Sequence, residues 1–430
     1  MKKILTLTAL GTILVASNAM AAGFHLREQS AAAQGNAFAG ATAGAENASY
    51  AYYNVAGLTR QKGTQINLGT TYIAPRAEAQ NVKDGAGNRD ADVNNIVHAA
   101  WAPNGTISHQ IDDKLTVGLG LNVPYGMITK YDSEWAGSDH GITSKVMSTT
   151  ITPMAAYKLT DKLSVGAGLQ MQYIKARLTS SAYNPLAGGD IGNVGLEGDT
   201  FDVGYQLGAM YEFNNDTRIG VNYRSEINHK LKGDIKGSKG SYTSAVPYLN
   251  QDISAKLDTP AMLSVGAYHQ INDKWAVMAE YQRVFWSSFE NLDIMGNSFH
   301  KGPYGAPVAG GGLVSHTAEN WSDTNFFAIG ASYQIDNQWK LRLGLAKDEG
   351  AARKLERTPR IPDSDRTWYS IGLNYQYNEN LTFDVAYTYI QAKDAPMDTA
   401  LTENSGSGRN VSADYKNSVK LFGLSLNYKF

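Results

Sequence analysis

The chain of 430 residues contains no cysteine, so neither a disulfide framework nor thiol chemistry is open to it. It also has no apolar run of membrane-helix length. The longest, Ile4 to Val15, falls short of the roughly 20 residues a helix needs to cross a bilayer. With a negative mean hydropathy as well, a helical inner-membrane protein is excluded. Charge of one sign is missing too: 38 Lys and Arg stand against 40 Asp and Glu, which argues against nucleic acid as a partner. The eight histidines show no H-x-x-x-H pair and no zinc-ligand spacing, so no metal is expected. No G-x-S-x-G elbow is present, and Gly118-x-Gly120 sits in a strand pattern rather than a phosphate loop. No cofactor and no enzymatic activity are expected.

What is present begins with Met1-Lys2-Lys3, the apolar stretch and Ala19-Met20-Ala21, the pattern of a secretory signal. Residues 1–21 are read as that signal and Ala22 as the start of the mature chain. The next stretch, 22–59, is rich in Ala, Gly and Ser and poor in large aliphatic residues. It cannot build a core alone and needs a container, so it is read as a plug, with 60–430 as the barrel around it.

The container shows in the alternation. From Leu163 to Tyr173 one parity holds Leu163, Val165, Ala167, Leu169, Met171 and Tyr173, and the other Ser164, Gly166, Gly168, Gln170 and Gln172. The stretches 368–377 and 380–390 repeat this, with aromatics at the strand ends. Apolar-out, polar-in alternation of this kind is the signature of strands crossing an outer membrane. Six Asn/Asp-rich turns, starting at Gln110, Lys158, Glu212, Gln270, Gln334 and Gln376, alternate with seven longer polar loops at roughly 75–93, 125–143, 179–198, 232–250, 290–320, 349–365 and 393–415. Thirteen connections make fourteen strands, the even number that bacterial barrels require. The fold class is therefore all-β, a 14-stranded antiparallel transmembrane β-barrel with an N-terminal hatch in its lumen. Pro260 predicts a break in the eighth strand. The last strand, ending Phe422-Gly-Leu-Ser-Leu-Asn-Tyr-Lys-Phe430, resembles the C-terminal signal read by the outer-membrane barrel assembly machinery. It must pair with the first strand, because an open edge cannot sit in lipid.

The chain resembles the FadL/TodX-type outer-membrane transporters of long-chain fatty acids and other hydrophobic compounds. The carriers are Ala22-Gly23-Phe24 with Glu28-Gln29-Ser30, Asn54-Val55-Ala56-Gly57-Leu58-Thr59, Pro124-Tyr125-Gly126, Tyr223-Arg224-Ser225-Glu226, Thr259-Pro260, Trp286-Ser287 and Ile361-Pro362-Asp363-Ser364-Asp365-Arg366. The resemblance implies capture from outside and lateral exit through a gap where the third strand kinks. It makes Ala22, Gly23, Phe24, Asn54, Val55 and Ala56 hatch or gate residues, with Asn54-Val55-Ala56 facing the gap. The family has Asn-Pro-Ala where this chain has Val55, and valine leaves that turn freer.

The resemblance makes Asn122, Pro124 and Gly126 the lateral opening; read from spacing alone, Pro124 equally ends a strand at its loop. Tyr125, Met127, Ile128 and Trp135 in one loop, and Leu186 and Ile191 in another, are candidates for ligand capture or for a packed lid. Arg224, Lys256 and Arg342 are carboxylate candidates by parity, with ion pairing across the lumen or to the plug as the competing role. Lys175 and Arg177 fall on the outer parity, where lipopolysaccharide phosphates lie. The expected function is passive uptake of long-chain fatty acids by an outer-membrane monomer in contact with lipopolysaccharide and outer-membrane lipid. Uptake of other hydrophobic ligands such as aromatic hydrocarbons is the alternative. The polar loops 290–320 and 393–415 suggest a surface adhesin or phage-receptor role as a rival.

Overall fold

The computed structural model describes residues 23–184, 189–237, 251–296, 300–301, 307–308, 312–404 and 408–430. Fourteen antiparallel strands close into a barrel: β1 (Thr64–Asp84), β2 (Ala100–Gln110), β3 (Leu115–Asn122, then Gly126–Lys130), β4 (Thr143–Lys158), β5 (Leu163–Asn184) and β6 (Gly189–Glu212). There follow β7 (Thr217–Arg224, Lys230–Gly237), β8 (Gln251–Lys256, Met262–Gln270), β9 (Trp275–Val284, Asn291–Gly296) and β10 (Leu313–Ala318, Thr324–Gln334). The circuit finishes with β11 (Trp339–Asp348), β12 (Arg366–Gln376), β13 (Leu381–Ala392) and β14 (Val411–Lys429). β14 pairs with β1 from Gln65↔Lys429 upward, so no edge is left.

The six turns share one device. Asp112, Thr160, Asn214, Asn272, Asp336 and Asn378 each accept two backbone N–H groups, from the residues two and three ahead. A short side-chain oxygen at that position replaces a backbone acceptor, which is why Asx or Thr recurs there. Just inside the turns, Trp275 packs on Tyr333 and Trp339 on Tyr375 across neighbouring strands. Phe201, Leu207, Ile329, Leu345 and Leu424 are exposed on the outer face, as a lipid-facing belt requires.

The stretches 75–93 and 179–198, expected as loops, are largely strand. β1 runs on to Asp84, and β5 and β6 stay paired out to Asn184↔Gly189. The period-2 hydrophobic signal fades there because both faces of these extensions leave the lipid. Pro260 does fall in a break of β8, between Lys256 and Met262.

Residues 23–60 lie inside the barrel. Two short α-helices (Ala31–Gly35, Ala41–Gly44) and two 3-10 helices (Ala48–Tyr52, Val55–Arg60) are joined by tight turns. Ser30, Asn47 and Asn54 cap three of the four through their side chains. The wall makes room with glycine. A Cβ on Gly208 or Gly220 would overlap Asn54 or Thr42, on Gly344 it would overlap Asn36, and on Gly372 it would overlap Gly35. The glycines that alternate with apolar residues along these strands thus face small-residue backbone at van der Waals distance.

Asn54-Val55-Ala56 does not face the third strand, contrary to expectation. The Asn54 side chain caps Ala56, and its amide donates to Thr42 O (2.8 Å) and Ala209 O (3.0 Å). Val55 is fully buried against Ala51, Leu58, Met154 and Ala156. The triplet therefore docks on β4–β7, where Gly166, Gly208 and Gly220 admit it. Packing supplies the constraint that a proline would have supplied at Val55.

Candidate functional site

The strands that carry the site are the ones that break. β7, β8, β9 and β10 are interrupted at 225–229, 257–261, 285–290 and 319–323. Each break is stitched to its neighbour: Ile227 pairs with Thr259, Phe285 N donates to Ala261 O (3.0 Å) and Trp321 N to Phe289 O (3.3 Å). Away from the ladder, Trp286, Phe289 and Trp321 are buried around Phe24, whose ring lies 4.9 Å from Trp286, 6.1 Å from Phe289 and 5.9 Å from Trp321.

Phe24 is set in that box from three sides. Gly23 has φ +62°, and a Cβ there would run into the Trp321 and Trp286 rings, so only glycine fits. Gly23 N donates to the buried carboxylate of Asp363 at 3.0 Å, and Asp363 is ion-paired with Arg366 at 3.0 Å. On the other side, Leu26 N donates to Pro124 O (2.7 Å) and Gly126 N to Phe24 O (2.9 Å). The kink of β3 thus pairs with the N-terminal segment instead of with β2.

Above Phe24 opens a narrow cavity, part of it open to solvent. Met127, Val146, Leu231, Leu257, Leu292 and Ile361 are among its apolar lining residues. Its charged lining includes Arg360 and Glu319. Arg360, in the loop after β11, donates to Ser144 Oγ (3.0 Å) and Thr143 O (3.2 Å). Burial lowers it to about 10, so it stays charged at neutral pH. Burial pushes the Glu319 carboxyl, in the break of β10, up to about 8 despite the hydrogen bond from Trp321. Glu319 is therefore mostly protonated at neutral pH, and this pair carries close to one net positive charge. A second, more polar cavity, lined by His140, His316, Arg357 and Asn404, shares Leu178, Leu196 and Arg360 with the first.

The β2–β3 ladder has a gap, or window in the pairing, beside the kink. β2 and β3 pair from Gln110↔Thr116 up to Gly105↔Leu121. Farther up, Lys130 N donates to Ile96 O at 2.7 Å. The register is the same on both sides of the window, so it opens by bending β3 inward and not by an insertion. Along it, Ala100–Asn104 ladders only to β1 among the described residues. Pro103, with no N–H to lose, lies on this stretch. The Gln29 amide takes the place of the missing strand at Val123, accepting from its N (3.1 Å) and donating to its O (2.8 Å).

The expected residues divide accordingly. Phe24 and Met127 line the cavity, Tyr125 packs on Phe24 at 5.7 Å with Gly23 preceding it, and Asn122, Pro124 and Gly126 flank the gap in the β2–β3 ladder. Trp135 is buried away from the cavity, stacked on Tyr131 at 4.1 Å, with Tyr131 bonded to Tyr415 (2.9 Å). That is the lid reading of this loop. Ile128 is half-buried on the opposite parity from Met127. Ala22 and Leu186 lie outside the described residues, as does the side chain of Ile191.

The carboxylate candidates sit elsewhere. Arg224 donates to Tyr52 O (3.2 Å) and Gln170, and Arg342 pairs with Glu46 (2.7 Å) and Asp384 (2.8 Å). Both clamp the inner segment to the wall. Lys256 is exposed and paired with Asp258 at 2.6 Å. Parity placed the arginines inside correctly but could not say at what height. Arg360 was missed because a lone basic residue in a loop carries no periodic signal. Lys175 and Arg177, on the outer parity, both pair with Glu197.

A closed barrel with an outer apolar belt, a filled lumen and an apolar cavity is the architecture of an outer-membrane transporter for hydrophobic compounds. The chain belongs to the outer membrane protein transport protein family (OMPP1/FadL/TodX), whose profile matches residues 12–430. Members of this family are channel-type transporters and not enzymes. A long-chain fatty acid transport protein of Escherichia coli O6:H1 is 27% identical over 98% of this chain and 97% of its own. The crystal structure of a Pseudomonas aeruginosa FadL homologue superposes with a TM-score of 0.85, at 24% identity, covering 95% of this chain and all of that one. The Ralstonia pickettii toluene transporter TbuX has the same fold at a TM-score of 0.63 and 21% identity, covering 89% and 94%.

Proposed function

We propose that this transporter takes up long-chain fatty acids, capturing them in the cavity above Phe24 and releasing them sideways through the window beside Pro124. The observation that carries the substrate class is the cavity itself: apolar walls with one cationic group, Arg360, next to a carboxyl that burial keeps protonated. Apolar walls alone would suit toluene equally; a fixed positive charge favours an anionic head. Transfer of each methylene from water contributes about 0.8 kcal/mol, so a long tail drives its own capture without energy input.

The decisive experiment is oleate uptake in a host lacking its own fatty-acid porin. Uptake restored by this chain is the expected result; normal surface assembly without uptake counts against the reading, and toluene uptake in its place would favour the aromatic alternative. Arg360→Met should lower oleate uptake about tenfold while methyl oleate, with the same tail and no charge, changes less than twofold.

The cavity also predicts a pH effect. Below about 8 the Glu319 carboxyl is neutral and Arg360 acts alone; above it, Glu319 ionises and offsets Arg360. Oleate capture should therefore weaken between pH 7 and 9, and Glu319→Gln should abolish that fall. A fall of equal size in the Gln variant would disprove the assignment.

For the exit, an indole placed in the window by Val123→Trp should cut uptake to a tenth or less while the barrel still assembles. Unchanged uptake would sink lateral release.

A further inference from the structure

Asn104 is the last residue of β2 before the window closes below, and in the shared register it stands opposite Asn122. Both side chains point inward and are buried, with 6% and 3% of their surface exposed. The Asn122 amide donates to Gln29 Oε1 at 3.2 Å. The Asn104 amide is different: neither its oxygen nor its nitrogen has a hydrogen-bond partner among the described residues. Native structures rarely leave a buried amide unmatched on both atoms, and each such case asks for an unrecorded partner.

The surroundings point the same way. Thr106 and Ser108 on β2 and Asn67 and Thr71 on β1 line the same strip of inner wall, and Ser108 Oγ and Asn67 Oδ1 are likewise unmatched. This polar strip leads up to the window, whereas the cavity above Phe24 is apolar. A ligand that turns out through the window tail-first drags its polar head past Asn104.

We propose that Asn104 and Asn122 form a head-group station at the lower edge of the window, where the carboxylate of an amphiphilic ligand is hydrogen-bonded while its tail enters the membrane. The proposal rests on the lateral-release reading above. The Asn104 amide offers two N–H donors, and a hydrogen bond to a charged acceptor is stronger than one between neutral groups. A neutral amide has the further merit of letting go: it makes no ion pair that would hold the carboxylate in the wall. The station would favour ligands with a hydrogen-bonding head over those with the same tail and no charge.

The test uses the full-length protein in outer membranes of a host without its own fatty-acid porin, with oleate and methyl oleate as probes. Asn104→Leu should lower the ratio of oleate to methyl oleate uptake about tenfold, and Asn104→Gln should hold it within twofold of the starting protein. Gly195→Ala, on β6 and away from this strip, should leave the ratio where it is. The thermal unfolding of N104L should be unchanged or raised, because the substitution removes an unmatched amide. An unchanged ratio in N104L, or two rates that fall together, would overturn the station and leave Asn104 a hydration site. The Val123→Trp variant tests the window separately. Should V123W still transport both probes, the exit reading fails; a ratio shift in N104L would then belong to another route, and the station as an exit site would fall with it.

Discussion

Arg342→Met is expected to destabilise the plugged barrel by about 3–5 kcal/mol, the usual cost of removing one partner from a buried ion pair. Arg342 is 2% exposed and holds Glu46 of the inner segment at 2.7 Å and Asp384 of β13 at 2.8 Å. Asp384 in turn accepts from Asn427, which accepts from Asn67, so the cluster reaches the β14–β1 closure. Without the guanidinium two carboxylates share one buried site, and Lys340, 3.4 Å from Glu46, is left to compensate only one of them. The result should be a displaced inner segment: higher conductance in planar bilayers, sensitivity to large hydrophilic antibiotics and a lower unfolding temperature. Adding Glu46→Gln should recover part of the loss, since one of the uncompensated charges is then gone. Wild-type conductance and unfolding in R342M would show that the ion cluster does not hold the segment.

The second large effect is steric. A Cβ on Gly344 would lie inside the van der Waals envelope of the Asn36 carbonyl and the Ala37 nitrogen, and one on Gly220 would meet the Thr42 carbonyl. These are backbone atoms and cannot swing aside as a side-chain tip can. Gly344→Val and Gly220→Val should each cost about 3 kcal/mol, the upper part of the range for overpacking. Limited proteolysis should then cut within 23–60, which the parent protects. Gly195→Ala is the control: the nearest atom to its added Cβ is a methyl group at 3.7 Å, so the change should be close to neutral. Protection that survives in G344V would mean the inner segment is held by its ion pairs alone.

Much of this architecture is legible in the sequence. Strands crossing a membrane must alternate, because lipid meets one face and the lumen the other, and that rule makes the parity of β5, β12 and β13 readable residue by residue. The six turns were countable because each needs a short side-chain acceptor at one position, and Asp112, Thr160, Asn214, Asn272, Asp336 and Asn378 supply it. Where the lipid ends, the rule ends too. The upper parts of β1, β5 and β6 therefore carry the pattern of loops.

The site was only half legible. Gly23 and Phe24, and Pro124 with its neighbours, were visible as an odd segment and a misplaced proline. That they hydrogen-bond to each other was not, because Phe24 and Gly126 are about a hundred residues apart and their contact belongs to the closed barrel. Nor could the sequence reveal that Arg360 stands over the cavity while Arg342 and Arg224 serve the inner segment, or that Asn54 docks on β6 and β7. By itself the sequence determined an exported, fourteen-stranded barrel with a small-residue filling, since each of those follows from local pattern and count. Only the tertiary structure decided the height of each inward residue, the window beside Pro124 and the cavity over Phe24. Those depend on which strands bend and what they bend toward, which is a property of side chains meeting across the lumen.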